Sequence, residues 1–159
     1  MLDQATLIDY FEYNNGDLFW KKRASQKIQI GDKVGHKSKN GYIVVRLKNQ
    51  YLYAHRIIFM MHHGFYPEEV DHIDGNPSNN CIENLRAATR QQNSFNTKIK
   101  NSSSTGVKGV GIHKPTGYFK VSIKVDGKSI HLGYTKDLTE AKQMYDEASK
   151  LYHGEFARQ

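Results

Sequence analysis

Residues 71–86 read Asp-His-Ile-Asp-Gly-Asn-Pro-Ser-Asn-Asn-Cys-Ile-Glu-Asn-Leu-Arg. Gly75, Pro77 and a series of asparagines break any regular element here, because proline removes a backbone donor and Gly and Asn favour turns. The fold must therefore carry a turn-rich loop whose ends are held by regular structure. A strand ending at Asp71-His72 supplies one end, and a short strand over Leu85 to Ala88 the other. Thr89 with Gln92 forms a capping box that starts a helix near Arg90, with Asn93 on its first full turn. Hydrophobic residues make up only 38% of the chain and mean hydropathy is negative. Several small elements, rather than one dominant core, are expected, and the fold class is α+β.

On the N-terminal side, Thr6 to Glu12 can form one or two helical turns. Asn14-Asn15-Gly16-Asp17 is a turn leading into a strand over Asp17-Leu18-Phe19-Trp20. Tyr42 to Leu47 is a strand rich in β-branched residues, and Lys48-Asn49-Gln50 turns it into Tyr51 to Ala54. Residues 1–54 thus read as a small antiparallel sheet with basic loops. His55 to His63 reads as a helix stopped by Gly64, with Ile57, Ile58 and Met61 on its core face. Residues 97–105 are polar apart from Ile99 and read as a linker. Beyond it, Val107 to His113, Tyr118 to Val125 and Ser129 to Tyr134 are strands. Leu138 to Tyr152 is an amphipathic helix with Thr139 as N-cap and an apolar stripe of Ala141, Met144, Tyr145, Ala148 and Tyr152. Four segments follow: 1–54 as a β-rich region with basic loops, 55–96 as a core unit around the turn-rich loop, 97–105 as linker and 106–159 as a second domain.

Net charge is +7, carried unevenly. Residues 1–96 hold 12 Lys+Arg against 10 Asp+Glu, and residues 97–159 hold 11 against 6. A basic chain of this kind points to nucleic acid or another anionic surface. A single cysteine, Cys81, excludes an intramolecular disulfide and a Cys-rich zinc ribbon. His62 and His63 are neighbours on a helix, so their side chains diverge by about 100° and do not readily share one ion. No run approaches the length of a membrane helix, and Met-Leu-Asp-Gln lacks the features of a signal peptide; a cytoplasmic location is the expectation.

The loop and its flanks carry groups suited to phosphodiester hydrolysis. That reaction needs a base for water, charge stabilisation at phosphorus and neutralisation of the leaving oxygen. An imidazole, with an ordinary pKa of about 6.5, suits the first task, and a divalent cation suits the others. Asp71 and Asn93 are oxygen ligands of the kind that favour Mg²⁺ or Mn²⁺ with several waters retained. Adjacent strand residues point to opposite faces, so a bend at the strand end has to bring Asp71 and His72 into one cleft.

Asp71-His72, Asn84 thirteen residues after Asp71 and Asn93 nine residues further resemble the HNH nuclease motif, in the form found in phage and intron homing endonucleases with Asn in place of the last His. The resemblance implies a ββα-metal core and a metal-dependent endonuclease acting on double-stranded DNA. It implies His72 as general base, Asn84 as the brace of the loop that orients His72, and Asp71 with Asn93 as ligands of one Mg²⁺ or Mn²⁺; zinc is not expected. Arg86 and His55-Arg56 also match recurrent positions, where packing or phosphate contact is expected.

In the second C-terminal strand, alternation places Phe119, Val121 and Ile123 on one face and Lys120, Ser122 and Lys124 on the other. Ser129 and His131 of the next strand join the polar face, with Lys108 and Lys114 nearby. Lys108-Gly109-Val110, Gly117 to Ile123 and Leu132-Gly133-Tyr134 are similar to the plant APETALA2/ethylene-responsive DNA-binding domain. That resemblance implies a three-stranded sheet on one helix with the sheet facing DNA. Lysine lacks the guanidinium fork that reads guanine, so grip rather than stringent base readout is expected. Lys21, Lys22, Arg23 and Arg86 complete the set of expected DNA contacts. The expected enzyme is a monomer or homodimer. Its alternatives are a non-catalytic DNA-binding regulator derived from such a nuclease and an RNA-binding or structural phage protein.

Overall fold

The computed structural model describes residues 2–97, 99 and 103–157. The chain divides into two compact units, Met1–Arg90 and Gln91–Gln159. Within the stretch read as a linker, positions 98 and 100–102 lie outside the described residues. The architecture is α+β, built from small antiparallel sheets, with a three-stranded C-terminal sheet packed on a helix.

The first unit opens with α1 (Gln4–Tyr10), where the Asp3 carboxylate accepts from the Thr6 N–H at 2.7 Å as an N-cap. β1 (Phe11–Asn14) and β2 (Asp17–Trp20) form a hairpin in the register Phe11↔Trp20. Both turn residues, Asn15 and Gly16, have positive φ, as the two-residue hairpin turn requires. Sequence analysis placed β2 but read Phe11 and Glu12 as helical; Phe11 instead caps α1 and turns its ring into the core at 1% exposure. β3 (His36–Lys37), β4 (Ile43–Leu47) and β5 (Gln50–Tyr53) make a second sheet, its β4–β5 turn again built on two positive-φ residues, Lys48 and Asn49.

α2 (Ala54–His63) ends at Gly64, whose N–H returns to the Met60 carbonyl from a left-handed conformation. It packs against β4, β5, β6 (Glu69–His72) and β7 (Leu85–Ala88). Leu7, Phe11, Leu18, Trp20, Val45, Leu47, Ile57, Ile58, Val70 and Leu85 form one buried cluster, so residues 1–54 and 55–90 share a single core. Met61, expected on the core face, packs at its margin, half-buried. α3 (Arg90–Phe95) begins where the Thr89–Gln92 pair places it.

The second unit holds β8 (Val110–Ile112), β9 (Phe119–Val125) and β10 (Lys128–Thr135) in the order β10-β9-β8, covered by α4 (Leu138–His153). Val110, Val121, Ile123, Ala141, Tyr145 and Ala148 are its core. Gly109 has positive φ, and a Cβ there would lie 2.1 Å from the Tyr145 ring, so strand and helix close only over a glycine. The helix departs from the expected pattern at both ends. Asp137, not Thr139, is the N-cap, accepting from the Thr139 and Glu140 N–H groups. Tyr152 is exposed, while His153 is buried and bonds through Nε2 to the Lys124 carbonyl at 2.9 Å.

Candidate active site

β6 and β7 pair antiparallel with Asp71 opposite Arg86 and His72 opposite Leu85. Cross-strand neighbours on one face lie within side-chain reach, and Arg86 uses it: Nε and Nη2 both donate to Asp71 Oδ2, at 2.9 and 2.8 Å. Asp71 is buried and Arg86 nearly so. A lone carboxylate at this depth would cost several kcal/mol, which the guanidinium offsets. Arg86, expected on DNA, is thus a partner of the expected metal ligand.

His72 is the next residue. Its Nε2 lies 2.9 Å from Asn80 Oδ1, with both residues buried. The His55 ring approaches it edge-on at 4.9 Å between centroids, and Tyr42 stands at 6.0 Å. Tyr42 also senses Asp71: burial first, then the Tyr53, Asp71 and Glu69 charges, raise its phenol above the ordinary range. Asp71 and His72 share Tyr42 as a neighbour.

His55 comes from the first turn of α2, beneath Tyr53, which stacks on it at 5.5 Å. Its Nδ1 is buried without a hydrogen-bond partner among the described residues. Burial, reinforced by His72 and Arg56, lowers its pKa to about 3, so this ring stays neutral beside His72. Arg56 itself turns away and donates to the carbonyls of Glu68 and Pro67.

The intervening loop is internally bonded. Asn84 Nδ2 donates to Asp74 Oδ1 at 3.0 Å and to the Asn79 carbonyl at 2.8 Å, and Asn84 Oδ1 accepts from the Asp74 N–H at 3.0 Å. Asp74 further accepts from the Asn76 N–H and from Asn79 Nδ2. Burial would raise the Asp74 carboxyl, but these three donors and nearby His72 outweigh it and hold the pKa below the usual carboxylate value. Asn84 thus bonds within the loop, whereas direct contact with the imidazole comes from Asn80. The sequence reads as a turn-rich loop here and singles out neither Asn79 nor Asn80. Nothing in their spacing separates a turn asparagine from one aimed at a ring eight residues earlier. Asn93 sits half-buried on α3, in the part of that helix belonging to the second unit.

Of the remaining expected DNA contacts, Lys22 pairs with Asp9 at 2.8 Å and Lys21 donates to the Ile8 carbonyl, both at the surface beside exposed Arg23. In the second unit the register sets Ser129 opposite Lys124 and His131 opposite Ser122, so the polar face forms as alternation predicts. A bulge between His131 and Gly133 then pairs Tyr134 with Lys120, adding a ring that period-two reasoning leaves out. Tyr134 lies 4.6 Å from His131 and 5.0 Å from His113. Lys114 is exposed in the turn between β8 and β9. Lys108, by contrast, donates to the carbonyls of Phe95 and Thr97, which ties down the end of α3.

Residues 52–95 match the family model described as HNH endonuclease. Protein 3.8 of Escherichia phage T7 is 36% identical over 95 residues, an alignment covering 60% of this chain and 75% of that protein. The chain belongs to the HNH endonuclease family. An uncharacterized HNH endonuclease of Acanthamoeba polyphaga mimivirus is 38% identical over 106 residues, covering 65% of this chain and about half (54%) of that protein. No solved structure shows a significant match.

The HNH window spans Asp71, His72, Asn84 and Asn93 and stops before the sheet of the second unit. HNH endonucleases generally work with a divalent metal. Among the described residues no three His, Cys, Asp or Glu side chains converge as a metal-binding group. The Asp71 carboxylate is an oxygen donor of the kind that fits a hard ion such as Mg²⁺ with waters retained. No helix among the described residues is long and apolar enough to cross a membrane.

Proposed function

We propose that this HNH protein is a divalent-metal-dependent endonuclease that hydrolyses or nicks phosphodiester bonds in double-stranded DNA, with His72 as general base. The observation that carries the reading is the buried imidazole at the end of β6, gripped by Asn80 at 2.9 Å and walled by His55, next to an Arg86-anchored carboxylate. A general base must hold one orientation through the transition state, and few surface histidines are constrained in this way. His72 accepts a proton from the attacking water. Asn84 and Asp74 hold the loop in shape. Asp71 and, on the motif alone, Asn93 are the proposed ligands of Mg²⁺ or Mn²⁺; when bound, such an ion supplies positive charge to the phosphorane and the leaving 3′ oxygen.

The second unit is the proposed grip on the duplex, through Lys120, Ser122, Lys124, Ser129 and His131, with Lys114 nearby and Lys21, Lys22 and Arg23 of the first unit as further contacts. The basic excess of residues 97–159 and the exposed lysines of the β9–β10 face support this reading. Its likeness to the APETALA2-type domain is part of the same proposal.

The test is a supercoiled-plasmid assay with Mg²⁺, with EDTA, and with His72→Ala. Metal-dependent nicking that disappears in His72→Ala while DNA binding persists supports the proposal. A second reading, a DNA-binding regulator without activity, draws on the Arg86–Asp71 pair, which neutralises the proposed ligand. Binding without any metal-dependent nicking in the same assay would decide for it.

A further inference from the structure

The contact between His72 and Asn80 fixes more than orientation. The Asn80 carboxamide turns its oxygen to His72 Nε2 at 2.9 Å, and an amide oxygen only accepts hydrogen bonds. The nitrogen facing it must carry the proton, and in a neutral imidazole the lone pair then lies on the other nitrogen, Nδ1. We propose that Asn80 is a positioning residue that sets His72 in the Nε2–H tautomer, making Nδ1 the nitrogen that accepts the proton of water. The proposal rests on the assignment of His72 as general base. In the step itself the water O–H bond breaks and an Nδ1–H bond forms. Asn80 Oδ1 goes on accepting from Nε2–H, now of an imidazolium, in a stronger, charge-assisted bond.

Asn80 can perform this role because the chain around it is pinned. Asn84 holds the Asn79 carbonyl at 2.8 Å, and the Asn84 N–H bonds the Cys81 carbonyl at 2.9 Å. The Ile82 N–H donates to the Tyr13 hydroxyl at 3.0 Å. From the other side the β1–β2 turn presses in: a Cβ on Gly16 would lie 2.8 Å from the Cys81 nitrogen and 3.1 Å from the Asn80 carbonyl carbon. An N-terminal hairpin outside the matched HNH window thus buttresses the residue that orients the base. His55 and Tyr42 close on the ring from elsewhere, so the imidazole cannot rotate to exchange its nitrogens without repacking buried groups.

The experiment is NMR of the full chain with ¹⁵N-labelled histidine, paired with turnover on duplex DNA in Mg²⁺. Wild type should show His72 with a protonated Nε2 and an unprotonated Nδ1. Asn80→Ala should lose that preference and slow turnover on the order of 10- to 100-fold at unchanged DNA affinity, as expected when the outer partner of a functional imidazole is removed. Asn80→Asp, which keeps an acceptor oxygen, should retain the tautomer and most of the turnover. An Nδ1–H tautomer in wild type, or an Asn80→Ala protein with the wild-type ring signature and full turnover, overturns the proposal. If Asn80→Ala does not fold, judged by Trp20 fluorescence, the wild-type and Asn80→Asp spectra decide. Full cleavage by His72→Ala would overturn the base assignment instead, which the tautomer measurement does not touch.

Discussion

Acid should destabilise the first unit through His55, by an amount the structure sets. Folded, the ring titrates at about 3; unfolded, it titrates at its ordinary value of about 6.5. Between those values the unfolded chain binds a proton that the folded chain refuses, so stability rises with pH across that window. Stability is therefore lost as pH falls below about 6.5, and the loss levels off below about 3. At pH 5 the unfolded imidazole lies about 1.5 pH units below its pKa, and at 1.36 kcal/mol per unit the penalty is ~2 kcal/mol. The figure depends only weakly on the folded value: any folded pKa below about 4 gives nearly the same result at pH 5. The perturbation is His55→Phe, which keeps a ring and removes both the titration and the partnerless Nδ1. The assay is urea unfolding followed by Trp20, the only tryptophan and a buried member of the same core. From pH 7.5 to pH 5 the wild type should lose about 2 kcal/mol more than His55→Phe, a difference of roughly 1 M in urea midpoint at an ordinary slope. Carboxylates are common to both proteins and cancel. Repeating the pair in a His72→Ala background isolates His55 from its neighbouring ring. Parallel losses in the two proteins would refute the reasoning and mean that His55 is reached by protons in the folded state.

Four further outcomes are expected. His72→Ala should reduce plasmid nicking at least about 100-fold, the lower range for loss of a general base, with DNA affinity unchanged by gel shift. Arg86→Gln should cost roughly 3–5 kcal/mol in urea unfolding, because it leaves the buried Asp71 carboxylate without its ion-pair partner; an unchanged midpoint would mean that Asp71 does not depend on Arg86. Asn84→Ala removes three hydrogen bonds of the loop and should cost about 2–3 kcal/mol at roughly 1 kcal/mol each, read by the same Trp20 transition. Lys120→Gln with Lys124→Gln should weaken DNA binding evenly across sequences and flatten the salt dependence by about 1.8 in log–log slope if each lysine neutralises one phosphate; an unaltered slope would remove the β9–β10 face from the interface.

Local chemistry explains why much of this fold was legible in the sequence. Two positive-φ turns, a glycine stop after α2 and strict alternation in β9 each act within a few residues, so β2, β4, β5, α2 and β9 could be placed from sequence. Long-range packing decided what could not. Phe11 leaves the helix because its ring completes a core shared with Trp20 at 4.9 Å, and no periodicity announces that. Tyr152 fits an apolar stripe, but the helix end is set by His153 reaching the Lys124 carbonyl. Tyr134 joins the polar face only because a bulge shifts the register after His131.

The site divides along the same line. Asp71, His72, Asn84 and Asn93 stand out because their spacing is itself the motif. Their partners do not: Arg86 reaches Asp71 through strand register, Asn80 reaches His72 through a folded loop, and His55 arrives from the start of another element. Side chains that meet substrate or metal are restricted in type, whereas groups that hold them in place need only the right shape and a donor or acceptor. Many residues satisfy that second demand, so it leaves little trace in a single sequence. The positioning layer is accordingly where this chain can differ from its HNH relatives without loss of the motif. The Tyr13 hydroxyl and the Gly16 turn bear on Asn80 from outside the matched window. Exchanging the β1–β2 hairpin for that of a relative should therefore alter turnover before it alters metal dependence or DNA affinity.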